Sequence, residues 1–313
     1  MEQQNAVPKT QIEYVEPFKK KPEYKDYTIS LEGSEIVFYK EAKEKHRYSM
    51  ANTKLERYGD LTKSIPEDKQ EKSFELITEK MNVMIIFKSY TPFIHWLTYL
   101  GLHMKIKGTY GYPLRIACLK SGWRYPIPLF RSIQYLRYNN GIKTEGLFRV
   151  SPNADEKNYV TQIMNSDMHA GHIDFKSITI ASAVCKDYLA KLPDSLIPHE
   201  NYAKFLEIGR ISDKKEMIYE LRRFVDTLPL INQQCLWYVI DFLYLVQTQQ
   251  QDNKMTAKNL AVCFTPSCVR DPTLDPMKAM TDQKDLQVAF ETMIECYQKV
   301  FKNVKVINES LSY

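Results

Sequence analysis

Residues 145–151 read Glu-Gly-Leu-Phe-Arg-Val-Ser, and this stretch sets a single arginine, Arg149, among apolar neighbours. It follows Asn139-Asn140-Gly141, a combination typical of a helix end, so we expect a loop here. Alternating apolar side chains of such a loop are expected to fold inward and anchor it. Arg149 would then point away from the domain.

Two further blocks follow in the same chain, Cys-Lys-Asp-Tyr-Leu-Ala-Lys-Leu-Pro at 185–193 and Asn-Lys-Met-Thr-Ala-Lys-Asn-Leu-Ala-Val-Cys-Phe-Thr-Pro at 253–266. Between and around them, apolar residues recur at intervals of three and four, the spacing of amphipathic helices. An all-α bundle is therefore predicted for the larger, C-terminal part of the chain.

The three blocks, in this order and spacing, closely resemble the GTPase-activating (RhoGAP) domain that acts on Rho-family GTPases. The resemblance implies a helical RhoGAP domain over residues 112–305, with Arg149 as an arginine finger donated to a partner's nucleotide site. It implies that Lys186 reaches the GTPase and helps to fix the finger loop. It also implies that Asn259 hydrogen-bonds the partner, although a purely local capping role for Asn259 stays open.

The same resemblance sets the expected chemistry. The partner would be a Rho- or Rac-type small GTPase in signalling to the cytoskeleton, and this chain would itself be no GTPase. It would need no cofactor of its own, because the partner carries the GTP and Mg²⁺. A non-catalytic adaptor that binds a GTPase with an unproductive finger remains an alternative, as does a phosphoinositide-binding scaffold.

The chain departs from the family pattern in two places. Pro152 stands where the family usually has glycine, and Ser151 with Pro152 predicts an N-cap followed by proline in the first helical turn. Ala190 stands where the family often has an arginine that contacts the GTPase. Lys191 is adjacent, but one helical step rotates it by about 100°.

The first third of the chain has the two-residue period of β-strands. Hairpins are predicted around Gly33 and within Ser73–Phe87, and the charged run Glu41–Arg47 is expected to be a solvated loop. After Pro92 the spacing becomes helical, and Trp96 lies on the apolar face. Strands followed by one such helix resemble a pleckstrin-homology (PH) domain.

The fold class expected for the whole chain is therefore multidomain. A PH-like β-barrel or sandwich with a C-terminal helix would cover residues 10–106, and 107–111 would form a short linker to the helical RhoGAP domain.

A group of lysines crowds the predicted first loop and second strand of the PH-like domain: Lys19, Lys20, Lys21 and Lys25. PH domains that bind phosphoinositides typically add a nearby arginine, but the matching positions here read Lys25-Asp26-Tyr27. Weak attraction to anionic membrane phosphoinositides and a merely solvated basic loop both stay open.

Composition limits the other function classes. The chain has 313 residues, 44% hydrophobic and 26% charged, with a net charge of +5 and no nucleic-acid-binding motif, so no nucleic acid is expected. Six scattered cysteines and the lack of a signal pattern or membrane-length apolar run favour a cytoplasmic protein, at most peripheral at the membrane. His169 and His172 have a metal-like spacing but no partner pattern, so no metal site is predicted.

Overall fold

The structure is a computed structural model that describes residues 7–18, 20–164, 173–273 and 275–305. Its contacts divide the chain into two compact units, one ending at Lys120 and the other beginning at Ser121. The first unit is a PH-like sheet domain and the second is helical, which confirms the predicted fold class.

The N-terminal unit is built on one eight-stranded sheet, counted over the described residues. Its strands are β1 (Thr10–Val15), β2 (Lys25–Glu32), β3 (Glu35–Lys40), β4 (Lys43–Ser49), β5 (Lys54–Glu56), β6 (Ser73–Ile77), β7 (Asn82–Phe87) and β8 (Lys105–Lys107). They lie in the order β4-β3-β2-β1-β7-β6-β5-β8. The pairs are antiparallel except for β5 with β8. Its helices are α1 (Glu67–Gln70), α2 (Tyr90–His103) and α3 (Leu114–Ser121).

Both predicted hairpins and the predicted helix are present. β2 and β3 turn at Gly33, whose φ of 62° is readily adopted only by a residue without Cβ, and β6 pairs with β7. α2 buries Trp96 completely, and its indole Nε1 donates to Thr10 Oγ1 at 3.1 Å. The helix is thereby tied to the first strand.

The prediction of a solvated loop at Glu41–Arg47 is wrong, because most of this run forms β4 beside β3. Glu41 and Ala42 have φ of 49° and 64°, the two positive values of a type I′ hairpin turn. Neither is the Asn or Gly that marks such turns in a sequence. His46 stacks on Tyr14 at 4.8 Å, while the charged side chains face solvent along an edge strand.

The N-terminal unit extends beyond the predicted boundary. The Tyr112 hydroxyl lies 2.9 Å from the carbonyl oxygens of both Leu55 and Lys107, and Tyr112 and Ile116 are buried in the core of this unit. The segment predicted as a linker, 107–111, and the predicted first residues of the second domain, from 112, therefore lie within the sheet unit. The segment between β8 and α3 is held on both sides, since β8 pairs with β5 and Ile116 of α3 belongs to the core of the sheet unit.

The helical unit consists of ten described helices. They are α4 (Ile127–Tyr138), α5 (Ala154–Met164), α6 (Ile178–Ala190), α7 (Tyr202–Gly209), α8 (Lys214–Thr227), α9 (Leu230–Thr248), α10 (Gln250–Asn253), α11 (Ala257–Cys268), α12 (Pro276–Glu295) and α13 (Tyr297–Val300). α6 packs between α4 and α11, and α11 also packs on α9 and α12. The loop from α4 to α5 therefore lies beside α6 and α11.

Candidate functional site

The loop that carries Arg149 is a tight turn held by its own backbone. Gly146 has a φ of 68°, and its carbonyl oxygen accepts from the backbone N–H of Arg149 at 2.8 Å and of Val150 at 3.0 Å. The Gly146 N–H in turn donates to the carbonyl of Asn253 at 2.8 Å. A Cβ at position 146 would lie 3.0 Å from the Val150 side chain, so glycine suits both the conformation and the space.

Two consecutive apolar side chains anchor the turn. Leu147 and Phe148 are 3% and 1% exposed, and the Phe148 ring lies edge-to-face with Phe264 at 4.6 Å between ring centroids. Val150 is 55% exposed. The predicted alternation is therefore wrong: the two anchors are neighbours, because Phe148 adopts a φ of 70°, which breaks the alternation of an extended chain.

The conformation of Phe148 is costly for a bulky residue, and such backbone conformations concentrate at functional sites. Here it places two successive side chains in the core and turns the next residue outward. Arg149 is exposed, as predicted from the sequence. The backbone around the guanidinium is thus restrained, while the side chain itself is open to a partner.

Lys186 fixes the same loop from α6. Its Nζ donates to the carbonyl oxygen of Phe148, the residue just before Arg149. Lys186 is half-buried and follows Cys185, which is fully buried. The structure therefore joins Lys186 to the residue beside Arg149, although Lys186 and Phe148 are 38 positions apart in the sequence.

Asn259 lies in the first turn of α11. Its backbone N–H donates to the N-cap hydroxyl of Thr256 at 3.2 Å, and its side-chain Nδ2 donates to the carbonyl of Lys254 at 3.0 Å. The Asn259 side chain therefore makes a local hydrogen bond, while the cap of α11 is Thr256. The side chain remains half-exposed, so a contact with a partner is still available to it.

Cys263 lies on α11, one helical turn after Asn259. Burial raises the pKa of the Cys263 thiol, and the charges of Lys186 and Arg149 act in the opposite direction. The printed contacts thus join Lys186 to the turn of Arg149, and join that turn through the Phe148 ring to Phe264 of α11, the helix that carries Asn259.

The start of α5 differs from the sequence prediction. The helix begins at Ala154, and Asn153, not Ser151, is its cap. Asn153 Oδ1 accepts from the Glu156 N–H at 2.9 Å, while a Glu156 carboxylate oxygen accepts from the Asn153 N–H at 3.1 Å. This reciprocal capping box displaces the helix start by two residues, and Pro152 lies in the loop before it.

Position 190, where the chain departs from the resemblance described above, is exposed. Ala190 is exposed and lies four residues after Lys186, so both share one face of α6. The carbonyls of Ala190 and Leu192 accept from the guanidinium of Arg270. Sequence reasoning missed this role of Arg270, because it joins residues about 80 positions apart.

The described members of the N-terminal lysine group differ in their surroundings. Lys19 lies outside the described residues, and Lys20 and Lys21 are exposed. Lys25 forms an ion pair with Glu16 at 2.8 Å, which raises the pKa of Lys25 and places a negative charge beside it. Only Lys20 and Lys21, among the described members, present unpaired side chains to solvent.

Two other features bear on function. Within the described ranges, no group of three His, Cys, Asp or Glu side chains is arranged to hold a metal ion, and His169 and His172 lie outside those ranges. No helix of the described part of the chain is long and apolar enough to cross a membrane.

Residues 126–273 match the family profile of the RhoGAP domain. The chain is 32% identical over 174 residues to Rho GTPase-activating protein 35 of Rattus norvegicus, which covers 54% of this chain and 11% of that protein. It is 31% identical over 160 residues to N-chimaerin of Mus musculus, covering 50% and 35%. The match thus spans only about a tenth to a third of these relatives.

The crystal structure of human Rho GTPase activating protein 15 superposes with a TM-score of 0.55 at 17% identity, over 62% of this chain and 92% of that one. At this identity the likeness shows the fold alone.

Proposed function

Because residues 126–273 are a RhoGAP domain, we propose that this protein accelerates GTP hydrolysis by a Rho- or Rac-type GTPase, with Arg149 as the arginine finger. One observation carries the proposal. Arg149 is exposed on a turn whose two preceding side chains are buried and whose backbone is held by Lys186.

The chemistry follows from charge and position. Transfer of a phosphoryl group to water spreads negative charge over the γ-phosphate oxygens, and an inserted guanidinium stabilises that charge. Arginine suits the role, because it stays charged, donates in a planar fork and is weakly hydrated. GTP and Mg²⁺ belong to the partner, and this chain contributes Arg149. Lys186, bonded to the residue beside Arg149, and Asn259 would contact the GTPase around it.

Single-turnover GTP hydrolysis with a small panel of Rho-family proteins tests this function. We expect at least one member to be accelerated by about 10³–10⁵ at saturating protein. Binding without acceleration would instead support the non-catalytic adaptor, which Ala190 and Pro152 leave as the alternative. If no Rho-family GTPase is either bound or accelerated, both the catalytic and the adaptor function are excluded.

Replacing Ala190 with arginine is expected to tighten the complex. The new guanidinium would lie on the face of α6 that carries Lys186, and a desolvated charge-assisted hydrogen bond contributes about 1.5–3 kcal/mol. The protein concentration that gives half-saturation should therefore fall by at least about tenfold, with the saturated rate nearly unchanged.

Ala279→Arg provides a control for the added charge, since Ala279 is exposed on α12. It should leave half-saturation unchanged. Unchanged or weaker half-saturation in Ala190→Arg would show that this chain does not lack a contact at position 190.

For the PH-like unit we propose weak, salt-sensitive attraction to anionic lipid, supported by the exposed Lys20 and Lys21. Each lysine near an anionic surface contributes about 1 kcal/mol, and salt screens it. Lys20→Glu with Lys21→Glu should therefore lower co-sedimentation with phosphoinositide-containing vesicles at least tenfold at low salt.

Lys54→Glu with Lys105→Glu is the matched control, since both residues are exposed and pair across β5 and β8. It should have a clearly smaller effect. Binding that persists at physiological salt and selects one phosphoinositide isomer would contradict this part of the proposal.

A further inference from the structure

Asn253 is a buried polar residue at the end of α10, where the chain passes from α9 to α11. It is 0% exposed. Its Nδ2 donates to the carbonyls of Ile142 and Val246, each at 2.7 Å, and its Oδ1 accepts from the Met255 N–H at 2.7 Å. Both amide hydrogens and the amide oxygen are therefore used, so the side chain is held in one orientation.

These bonds join three segments of the helical unit. Ile142 begins the stretch that leads to Arg149, Val246 lies in the last turns of α9, and Met255 directly precedes the cap of α11. The backbone carbonyl of Asn253 adds a fourth contact, since it accepts from the Gly146 N–H at 2.8 Å. The segment from Ile142 to Gly146, which leads into the turn of Arg149, is thus bonded to Asn253 at both ends.

The same residue lies just before α11, whose cap is Thr256. Lys254 follows with a φ of 59°, and its carbonyl accepts from the side chain of Asn259. One buried side-chain amide therefore connects the segment before Arg149 with the start of α11. Ile142 and Asn253 are 111 positions apart in the sequence.

We infer that Asn253 is a positioning residue for Arg149, an inference that rests on the proposed function. Asn253 is fully buried, so it would contact neither the partner nor the nucleotide, but its bonds hold the backbone segment from which the guanidinium extends. A misplacement of about 1 Å in a catalytic group can lower a rate about 10²-fold. Loss of the Asn253 bonds should therefore act on the saturated rate more than on binding.

The test variant is Asn253→Asp, which keeps the size and the acceptor for Met255 but removes both donors. We expect its saturated rate of stimulated hydrolysis to fall about 10–100-fold, with half-saturation changed less than about threefold. In an Arg149→Ala background the same substitution should cause no further loss, because the group it positions is gone.

The matched control is Asn232→Asp, since the Asn232 side chain also donates to a backbone carbonyl, that of Leu196 at 3.0 Å. This change should leave the saturated rate nearly unaltered in both backgrounds. If Asn253→Asp does not fold, the smaller Asn253→Ser is assayed in its place, with and without Arg149→Ala.

An equal loss of rate with and without Arg149 would mean that Asn253 is merely structural, and would overturn the inference. Amide hydrogen exchange provides a readout without any GTPase: the Gly146 and Arg149 amides should exchange faster in Asn253→Asp. If no Arg149-dependent activity exists, the proposed function is wrong, and the exchange measurement still tests the positioning role. Unchanged exchange of both amides in Asn253→Asp would overturn that role.

Discussion

Arg149→Ala is expected to lower the saturated rate of GTP hydrolysis by about 10³ or more, the contribution of an arginine finger. Binding to the GTP-loaded partner should change only a few-fold, because the finger stabilises charge that develops in the transition state. The protein should remain folded, since Arg149 is exposed and such substitutions change the free energy of unfolding by about 0.5 kcal/mol at most.

Lys143→Ala is the control for this prediction. Lys143 is an exposed cation in the same segment, so its loss removes one charge without removing the finger. We expect the Lys143 variant to retain nearly the full rate. Equal rates for wild type and Arg149→Ala would show that the finger assignment is wrong.

Phe148→Ala is expected to destabilise the helical unit by about 3–5 kcal/mol, as for other buried phenylalanines. The ring is 1% exposed and packs on Phe264, so its removal leaves a cavity beneath the finger. The alanine would keep the unfavourable left-handed conformation without the ring that compensates for it. Activity at saturating GTPase should fall as well, because the loop loses its anchor.

Thermal unfolding of the full chain measures this effect. For a unit of about 190 residues, the expected loss corresponds to a fall of about 6–20 °C in the midpoint of its transition. Leu230→Ala, a truncation at a residue that is 67% exposed, should shift the midpoint only slightly. A Phe148→Ala shift as small as that of the control would contradict the anchoring role.

Local patterns predicted much of the fold. Alternation around Gly33 and the helical spacing after Pro92 depend only on neighbouring residues, and both elements form as expected. β4 was missed because its turn uses Glu41 and Ala42 at positive φ, where the sequence offers no Gly or Asn. The cap of α5 was displaced because a reciprocal bond between Asn153 and Glu156 outweighs a lone Ser-Pro pair.

The site was predicted less completely, because its supports are long-range. Arg149, Lys186 and Asn259 were found through motif blocks. The bond from Lys186 to Phe148 joins positions 38 apart, and the bond from Asn253 to Ile142 joins positions 111 apart. No pattern of neighbouring residues indicates hydrogen bonds between residues so far apart in the sequence. The left-handed Phe148 is likewise a product of tertiary packing, since an aromatic residue has no local preference for that conformation.

Binding to a transition-state mimic tests the central claim most directly. A cognate Rho-family GTPase is loaded with GDP, and its affinity for this protein is measured with and without aluminium fluoride, which stands in for the transferred γ-phosphoryl group. For the wild type, fluoride should raise the affinity at least about 10²-fold, the lower end for transition-state analogues. Arg149→Ala should lose most of that gain, and an undiminished gain in the variant would contradict the arginine-finger account.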